Sequence, residues 1–455
     1  MALENFLPTD DIRTLFSTSM SRMYQQEVPQ YGILMQLVAE VNEQTLASEP
    51  ALQQQLHNNG ELERLSLERH GAIRVGTAAE LSMLRRVFAI MGMHPVSYYD
   101  LSEAGIPVHS TAFRPTDEAS LQQNPFRIFT SLLRLELIED ETLRARAAKI
   151  LAQRDIFTTK ARELVVLAET QGGLTADEAQ LFIAEVLETF RWHQHATVDL
   201  DTYQALQQAH ALIADVVCFR GPHINHLTPR TLDIDTVQQQ MLSVGINPKV
   251  VIEGPPRRRC PILLRQTSFT ALEESIFFTG EQVGTHTARF GEIEQRGMAL
   301  TPKGRTLYDE LLNRSRHKQA QADNQTHQRL LATAFAEFPD DEHSLRTQQL
   351  GYFRYNLTEA GRQQAELGST NSELDVLIKA GLIQATPITY EDFLPVSAAG
   401  IFQSNLGSIS HQAYAHNANQ AAFEQALGCP VIDEFSLYAK LQDDSIQQVL
   451  QALGA

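Results

Sequence analysis

Apolar positions recur at helical spacing through the first sixty residues. Leu34, Leu37, Val38 and Val41 fall on one face, with glutamine and glutamate around them, which predicts helix over residues 10–58. The period then shortens. In Arg69-His-Gly-Ala-Ile-Arg-Val-Gly76 the apolar Ile73 and Val75 alternate as on a strand. Thr77-Ala-Ala-Glu80 has the form of a capping box, and the helix it opens carries Leu81, Leu84, Val87, Phe88 and Met91 up to Gly92. Three strand-like runs follow at 95–99, 108–113 and 126–135. The order is β-α-β-β-β.

Residues 139–212 return to the longer period. Thr175-Ala-Asp-Glu178 is a second capping box, and Ala179, Phe182, Ile183, Val186, Leu187 and Phe190 mark one face of an amphipathic helix. From 213 the strand pattern resumes. The β-branched run holding Val216, Val217 and Phe219 is broken by Gly221-Pro222 and starts again over 223–228, which reads as two strands joined by a tight turn. A helix opened at Asp233 or Asp235 carries Val237, Met241 and Leu242, and strands are predicted at 249–253, 262–266 and 285–294. This is β-α-β-β-β again, a repeat of order more than of residues. Beyond it a helical region begins near Arg305 and runs to 330. The mixed remainder includes an extended, small-residue stretch at 392–400 and an amphipathic helix near 443–453.

The expected fold class is therefore α+β, with two βαβββ units forming a curved sheet around a shared cavity. The expected divisions are an N-terminal helical region (1–60), the first unit (61–138), a helical insert (139–212), the second unit (213–303), and a C-terminal region (304–455) that adds to the substrate pocket. No low-complexity linker separates them, so one compact body is expected.

Composition narrows the class. Of 455 residues, 43% are hydrophobic and 20% charged, as in ordinary globular proteins. No apolar run reaches the length of a membrane span, and Met-Ala-Leu-Glu-Asn-Phe carries no basic leader, so a cytoplasmic protein is expected. A net charge of −18 argues against a nucleic-acid surface. Cys218, Cys260 and Cys429 are far apart and form no CxxC pair, which suits a reducing compartment. Arg257-Arg258-Arg259, after Gly254-Pro255-Pro256, reads as a solvated turn, with carboxylate binding the less favoured reading.

The candidate chemistry rests on strand parity. His223 and His226 are three apart, so on a strand they face opposite ways and at most one enters a given pocket. His70 begins the corresponding strand of the first unit. A carboxylate from the last strand of the second unit would complete a site. Glu292 and Glu294 share the parity of His286, so one of them is expected to reach the metal, with Gly291 able to shift the register through a bulge. Two histidines and one carboxylate leave three positions open, the arrangement of non-haem Fe(II) oxygenases. Arg74 lies on the His70 face, about 13 Å along the strand. Its planar fork suits the far carboxylate of a substrate that chelates the metal at its other end. His193 and His195 diverge on a helix and are read as surface residues.

These segments carry a resemblance. Arg69-His70-Gly-Ala-Ile-Arg74-Val-Gly-Thr, His223-Ile-Asn-His226-Leu-Thr-Pro-Arg-Thr-Leu-Asp, His286-Thr-Ala-Arg-Phe-Gly-Glu-Ile-Glu294-Gln-Arg-Gly and Phe393-Leu-Pro-Val396-Ser397 resemble the 2-oxoadipate dioxygenase/decarboxylase family, also called hydroxyglutarate synthases. That family is related to the vicinal-oxygen-chelate enzymes, built from βαβββ units. The resemblance implies Fe(II) on His70, His226 and Glu294. It also implies substrate contacts from His70, Arg74, Val396 and Ser397, and conversion of 2-oxoadipate and O2 to 2-hydroxyglutarate and CO2 in D-lysine breakdown. Within enzymes, the alternatives are a related dioxygenase acting on another 2-oxo acid and a zinc hydrolase or isomerase. From another class, the alternative is a non-catalytic dicarboxylate binder. His286 and Glu292 are read as either ligand-orienting or plain sheet residues.

Overall fold

Three helices lead the chain, α1 (Thr9–Glu27), α2 (Pro29–Ser48) and α3 (Pro50–Asn58). Pro29 and Pro50 sit in the first turn of their helices, where a missing N–H removes no helical hydrogen bond. The computed structural model describes residues 6–316, 324–367, 373–394 and 419–454. No helix among them is long and apolar enough to cross a membrane.

The first unit has the predicted strands and first helix in the predicted order, with an unpredicted short helix before the last strand. β1 (Arg69–Val75), α4 (Ala78–Ile90), β2 (His94–Asp100), β3 (Val108–Arg114), α5 (Glu118–Gln123) and β4 (Arg127–Leu133) follow in turn. The sheet order is β2-β3-β4-β1, with β1 and β4 parallel and the other pairs antiparallel. All seven residues of β1 are buried because both sheet faces are covered. Ile73 and Val75 pack with Phe16, Phe88 and Phe182 beneath the sheet, whereas Ala72 packs with Phe129 and Leu133 on its other side. His70 and Arg74 share the parity of Ala72, so both side chains lie on this second face.

The insert is helical as expected, through α6 (Glu141–Ala152), α7 (Thr159–Gln171), α8 (Ala176–Leu187) and α9 (Leu200–Ala209). The predicted strand over 213–219 is instead α10 (Ala211–Val217), capped by the His210 side chain. Leu212 through Val217 are all buried, so this short apolar run is solvent-shielded all round and has no periodicity to distinguish helix from strand.

The second unit starts at β5 (Leu227–Pro229), which pairs antiparallel with β1 and extends the first sheet. After α11 (Ile234–Met241) come the long antiparallel strands β6 (Leu264–Phe277) and β7 (Val283–Arg296). The backbone of Thr231 donates to the Glu294 carbonyl at 2.7 Å, and a bridge joins Arg230 to Glu294, so the curve passes from β5 onto β7. The strand predicted at 249–253 is reduced to two bridges against β6, at Pro248 and Glu253. Pro248 lacks an N–H and Gly254-Pro255-Pro256 ends the run, which prevents a continuous ladder.

α12 (Pro302–Arg316) and α13 (Asn324–Ala334) supply the predicted C-terminal helical region. The helix Glu434–Leu453 packs on the antiparallel pair of β8 (Phe353–Leu357) and β9 (Ile383–Pro387), where Gln442 and Ser445 accept from the backbone of Phe353 and Tyr355. Of the predicted turn 257–259, Arg257 is exposed. Arg258 is not solvated as expected; it donates to the carbonyls of Phe338 and Pro339. All three cysteines are free.

Candidate active site

β1 and β5 lie side by side with His70 opposite Thr228 and Gly71 opposite Leu227. The two histidines therefore meet where the units join, with ring centroids 5.2 Å apart and ring planes nearly perpendicular. Both are buried, and so are Glu292 and Glu294 on β7. The equal parity of the two glutamates sends both toward His70, where one alone was expected. Glu294 Oε2 lies 2.9 Å from His70 Nδ1, and Glu292 Oε1 lies 3.6 Å from His70 Nε2. Glu292 Oε2 is also 3.6 Å from His226 Nδ1. Paired bulges between Phe269 and Glu273 of β6 shift the register beside Gly291, which packs flat on Phe269: a Cβ there would fall 1.6 Å from the ring.

The donor set suits a cation. His70, His226 and Glu292 each offer a ligand atom within 4.8 Å of the others. His70 Nδ1 and Glu292 Oε2 are buried without a hydrogen-bond partner, so the 2.9 Å approach of His70 to Glu294 is out of line for a hydrogen bond. Two ligands about 2.1 Å from one metal on perpendicular axes stand about 3 Å apart, close to that spacing. The Thr228 hydroxyl meets His226 Nδ1 at 2.9 Å, which leaves Nε2 as the nitrogen able to face a metal. Phe393 and Phe290 wall the rings, at 4.9 Å from His70 and 4.7 Å from His226.

The electrostatics separate the two carboxylates. Burial pushes Glu294 up, but Arg296, His70 and Arg127 prevail and hold it at about 2. Arg296 binds it in two-point fashion, Nε to Oε1 at 2.8 Å and Nη2 to Oε2 at 2.9 Å, and each oxygen keeps a second lone pair. Glu292 is raised by burial and receives one hydrogen bond from Gln266 Nε2 at 2.5 Å. Burial drives His226 well below its usual value, so it stays a neutral imidazole, as metal ligation requires. For His70 burial acts downward, but Glu294 and Glu292 outweigh it and raise the ring.

Behind Glu294 is a buried ionic network that the sequence did not reveal. Arg127, opposite His70 on β4, contacts Glu68 at 3.0 Å and also pairs with Glu391. Arg230 reaches Glu61 at 2.8 Å and Glu68 at 3.0 Å, Arg64 reaches Glu391 at 2.6 Å, and Arg114 holds Asp392 through two bonds of 2.6 and 2.8 Å. One usable signal was Arg296, two residues past Glu294 and therefore on the same sheet face.

Arg74 is buried on the ligand face as predicted, and its Nη1 pairs with Asp215 Oδ2 at 2.7 Å. His286 joins this second cluster and not the metal group: its Nε2 is 2.9 Å from Asp215 Oδ1. Asp215 went unread because it sat in the apolar run over 213–219, although an acid inside such a run implies a buried partner. His193 is half-buried and His195 exposed. Val396 and Ser397 lie outside the described residues.

A family model described as 2-oxoadipate dioxygenase/decarboxylase matches residues 16–405. The chain is 62% identical over 443 residues to the 2-oxoadipate dioxygenase/decarboxylase of Escherichia coli strain K12, covering 97% of this chain and 98% of the relative. It is 56% identical over 460 residues to the Pseudomonas putida protein of the same name, covering 100% and 99%. Among solved structures, the hydroxyglutarate synthase from Pseudomonas putida in complex with 2-oxoadipate is similar over 99% of this chain and 100% of that one. The TM-score is 0.93 at 55% identity.

Proposed function

Because the chain belongs to the 2-oxoadipate dioxygenase/decarboxylase family, we propose that it converts 2-oxoadipate and O2 to 2-hydroxyglutarate and CO2 with Fe(II) as cofactor. The observation that carries this reading is the buried meeting of His70, His226 and the β7 glutamates, with Arg74 further along the same strand face. We assign the iron to His70, His226 and Glu294. Glu294 is the glutamate held ionised, and its approach to His70 has the spacing of adjacent ligands. Glu292 would then line the site, oriented by Gln266. When bound, Fe(II) supplies chelation of the 2-oxo acid and the activation of O2 that drives loss of C1 as CO2.

The residues of the chain contribute geometry. Thr228 engages His226 Nδ1 and so turns Nε2 toward the iron, Arg296 orients Glu294, and Phe290 and Phe393 wall the rings. Arg74 holds the far carboxylate of the diacid, with Val396 and Ser397 as further substrate contacts. In this scheme the units at 61–138 and 213–303 supply the ligands, and residues 304–455 close the substrate side. The protein acts in the cytoplasm, in D-lysine breakdown.

Anaerobic loading with Fe(II), then 2-oxoadipate and oxygen, is expected to yield one 2-hydroxyglutarate and one CO2 per O2, read by mass analysis. Glu294→Gln is expected to lose bound iron by at least tenfold, whereas Glu292→Gln retains most of it. Product formation in the absence of iron, or the reverse order of metal loss, would overturn the respective assignment.

A further inference from the structure

Asp215 is a buried carboxylate with no place in the ligand set, and both its oxygens are engaged. Oδ2 accepts from Arg74 Nη1 at 2.7 Å, while Oδ1 stands 2.9 Å from His286 Nε2 and 3.5 Å from His223 Nε2. The chain continues outward: His286 Nδ1 meets the Tyr203 hydroxyl at 2.8 Å, and Trp192 lies parallel to the His286 ring at 6.0 Å. Asp215 of α10 thus meets β1 and β7 directly, and α9 reaches it through His286. Neutralising a buried arginine needs a carboxylate. It does not need that carboxylate to be pinned from its other side by a histidine and a tyrosine.

An arginine has several rotatable bonds, and its five donors point in fixed directions within one plane. Anchoring one nitrogen to an immobile carboxylate fixes that plane, and with it the place where a second carboxylate can be gripped. We propose that Asp215, braced by His286 and Tyr203, is a positioning residue that aims Arg74 and so selects 2-oxo acids bearing a second carboxylate at one chain length. This rests on the substrate-binding role given to Arg74 above.

The test compares 2-oxoadipate with 2-oxohexanoate, which has the same carbon count and no far carboxylate. Asp215→Asn, which keeps the side chain's size, is expected to raise KM for 2-oxoadipate at least tenfold. Its kcat should change less than threefold and its KM for 2-oxohexanoate less than twofold. Tyr203→Phe leaves Asp215 in place and should shift the same ratio in the same direction, by a smaller factor; it decides the matter if the asparagine variant does not fold. Equal losses on both substrates, or unchanged KM for the diacid, overturn the proposal.

A second readout needs no turnover. Trp192 is the single tryptophan of the chain and reports on His286. Titrating the wild type with adipate, which has no keto group, should change its fluorescence, and Asp215→Asn should need at least ten times more adipate. The same half-saturation in both proteins, or no response in the wild type, overturns the proposal. Failure of the wild type to turn over 2-oxoadipate would instead count against the proposed reaction.

Discussion

Gly71 shows how closely single atoms constrain the site. A Cβ on it would fall 2.6 Å from Ile224 Cδ1 and 3.0 Å from the backbone oxygen of His226. Ile224 is wholly buried, and the carbonyl belongs to His226, which is proposed above as a ligand, so neither yields freely. Gly71→Ala is expected to cost about 1–3 kcal/mol and to weaken iron binding, checked by thermal unfolding with and without metal and by metal content. Although parity did not choose between Glu292 and Glu294, and His226 lies just before β5 and not on it, the shared face of His70 and Arg74 and the common direction of the two glutamates were legible because strand parity is a local property of a sequence. The Arg74–Asp215 pair was not, since nothing in the chain says which buried arginine meets which buried acid. The same applies to Arg127, Arg230 and Glu68: charged side chains are normally solvated, so sequence reading places them outside.

At the level of elements, the best-read features were those that carry their own end signals. Thr77 and Thr175 each form the predicted capping box, accepting from the backbone of Glu80 and Glu178, whose side chains reach back to the cap N–H. Thr77→Ala should destabilise the protein by about 1 kcal/mol, seen as a lower denaturation midpoint with an unchanged slope. α4 carries no ligand itself, so metal content should hold. Without such signals the reading failed. The run over 213–219 has β-branched residues and complete burial, and its helical form follows from tertiary packing that propensity does not encode. That misreading also concealed Asp215, because on a strand it would have had no fixed relation to Arg74. The 249–253 segment is a second strand that did not form: its composition suited one, but its flanking prolines left two bridges.

Over the whole molecule, the buried network of arginines and acids ties the residues after α3 to the first unit, the second unit and the segment at 391–392. Nearby, Glu434 is buried, and burial followed by repulsion from Asp392 raises it to about 7. Its value in the folded protein lies above that of an unfolded glutamate, so the folded state binds the proton more tightly. The resulting stability is fully present below about pH 4.5 and is lost as pH rises through 7. Glu434→Gln should therefore unfold at a higher temperature than wild type at pH 8 and match it near pH 4.5, measured by thermal melts across that range. β1 and β5 share three residue pairs, yet they bring together the histidines on either side of the whole helical insert. A cation held by both would rivet β1 to the chain beyond that insert. Iron starvation would then leave a looser chain that cellular proteases can find, and not merely an idle catalyst.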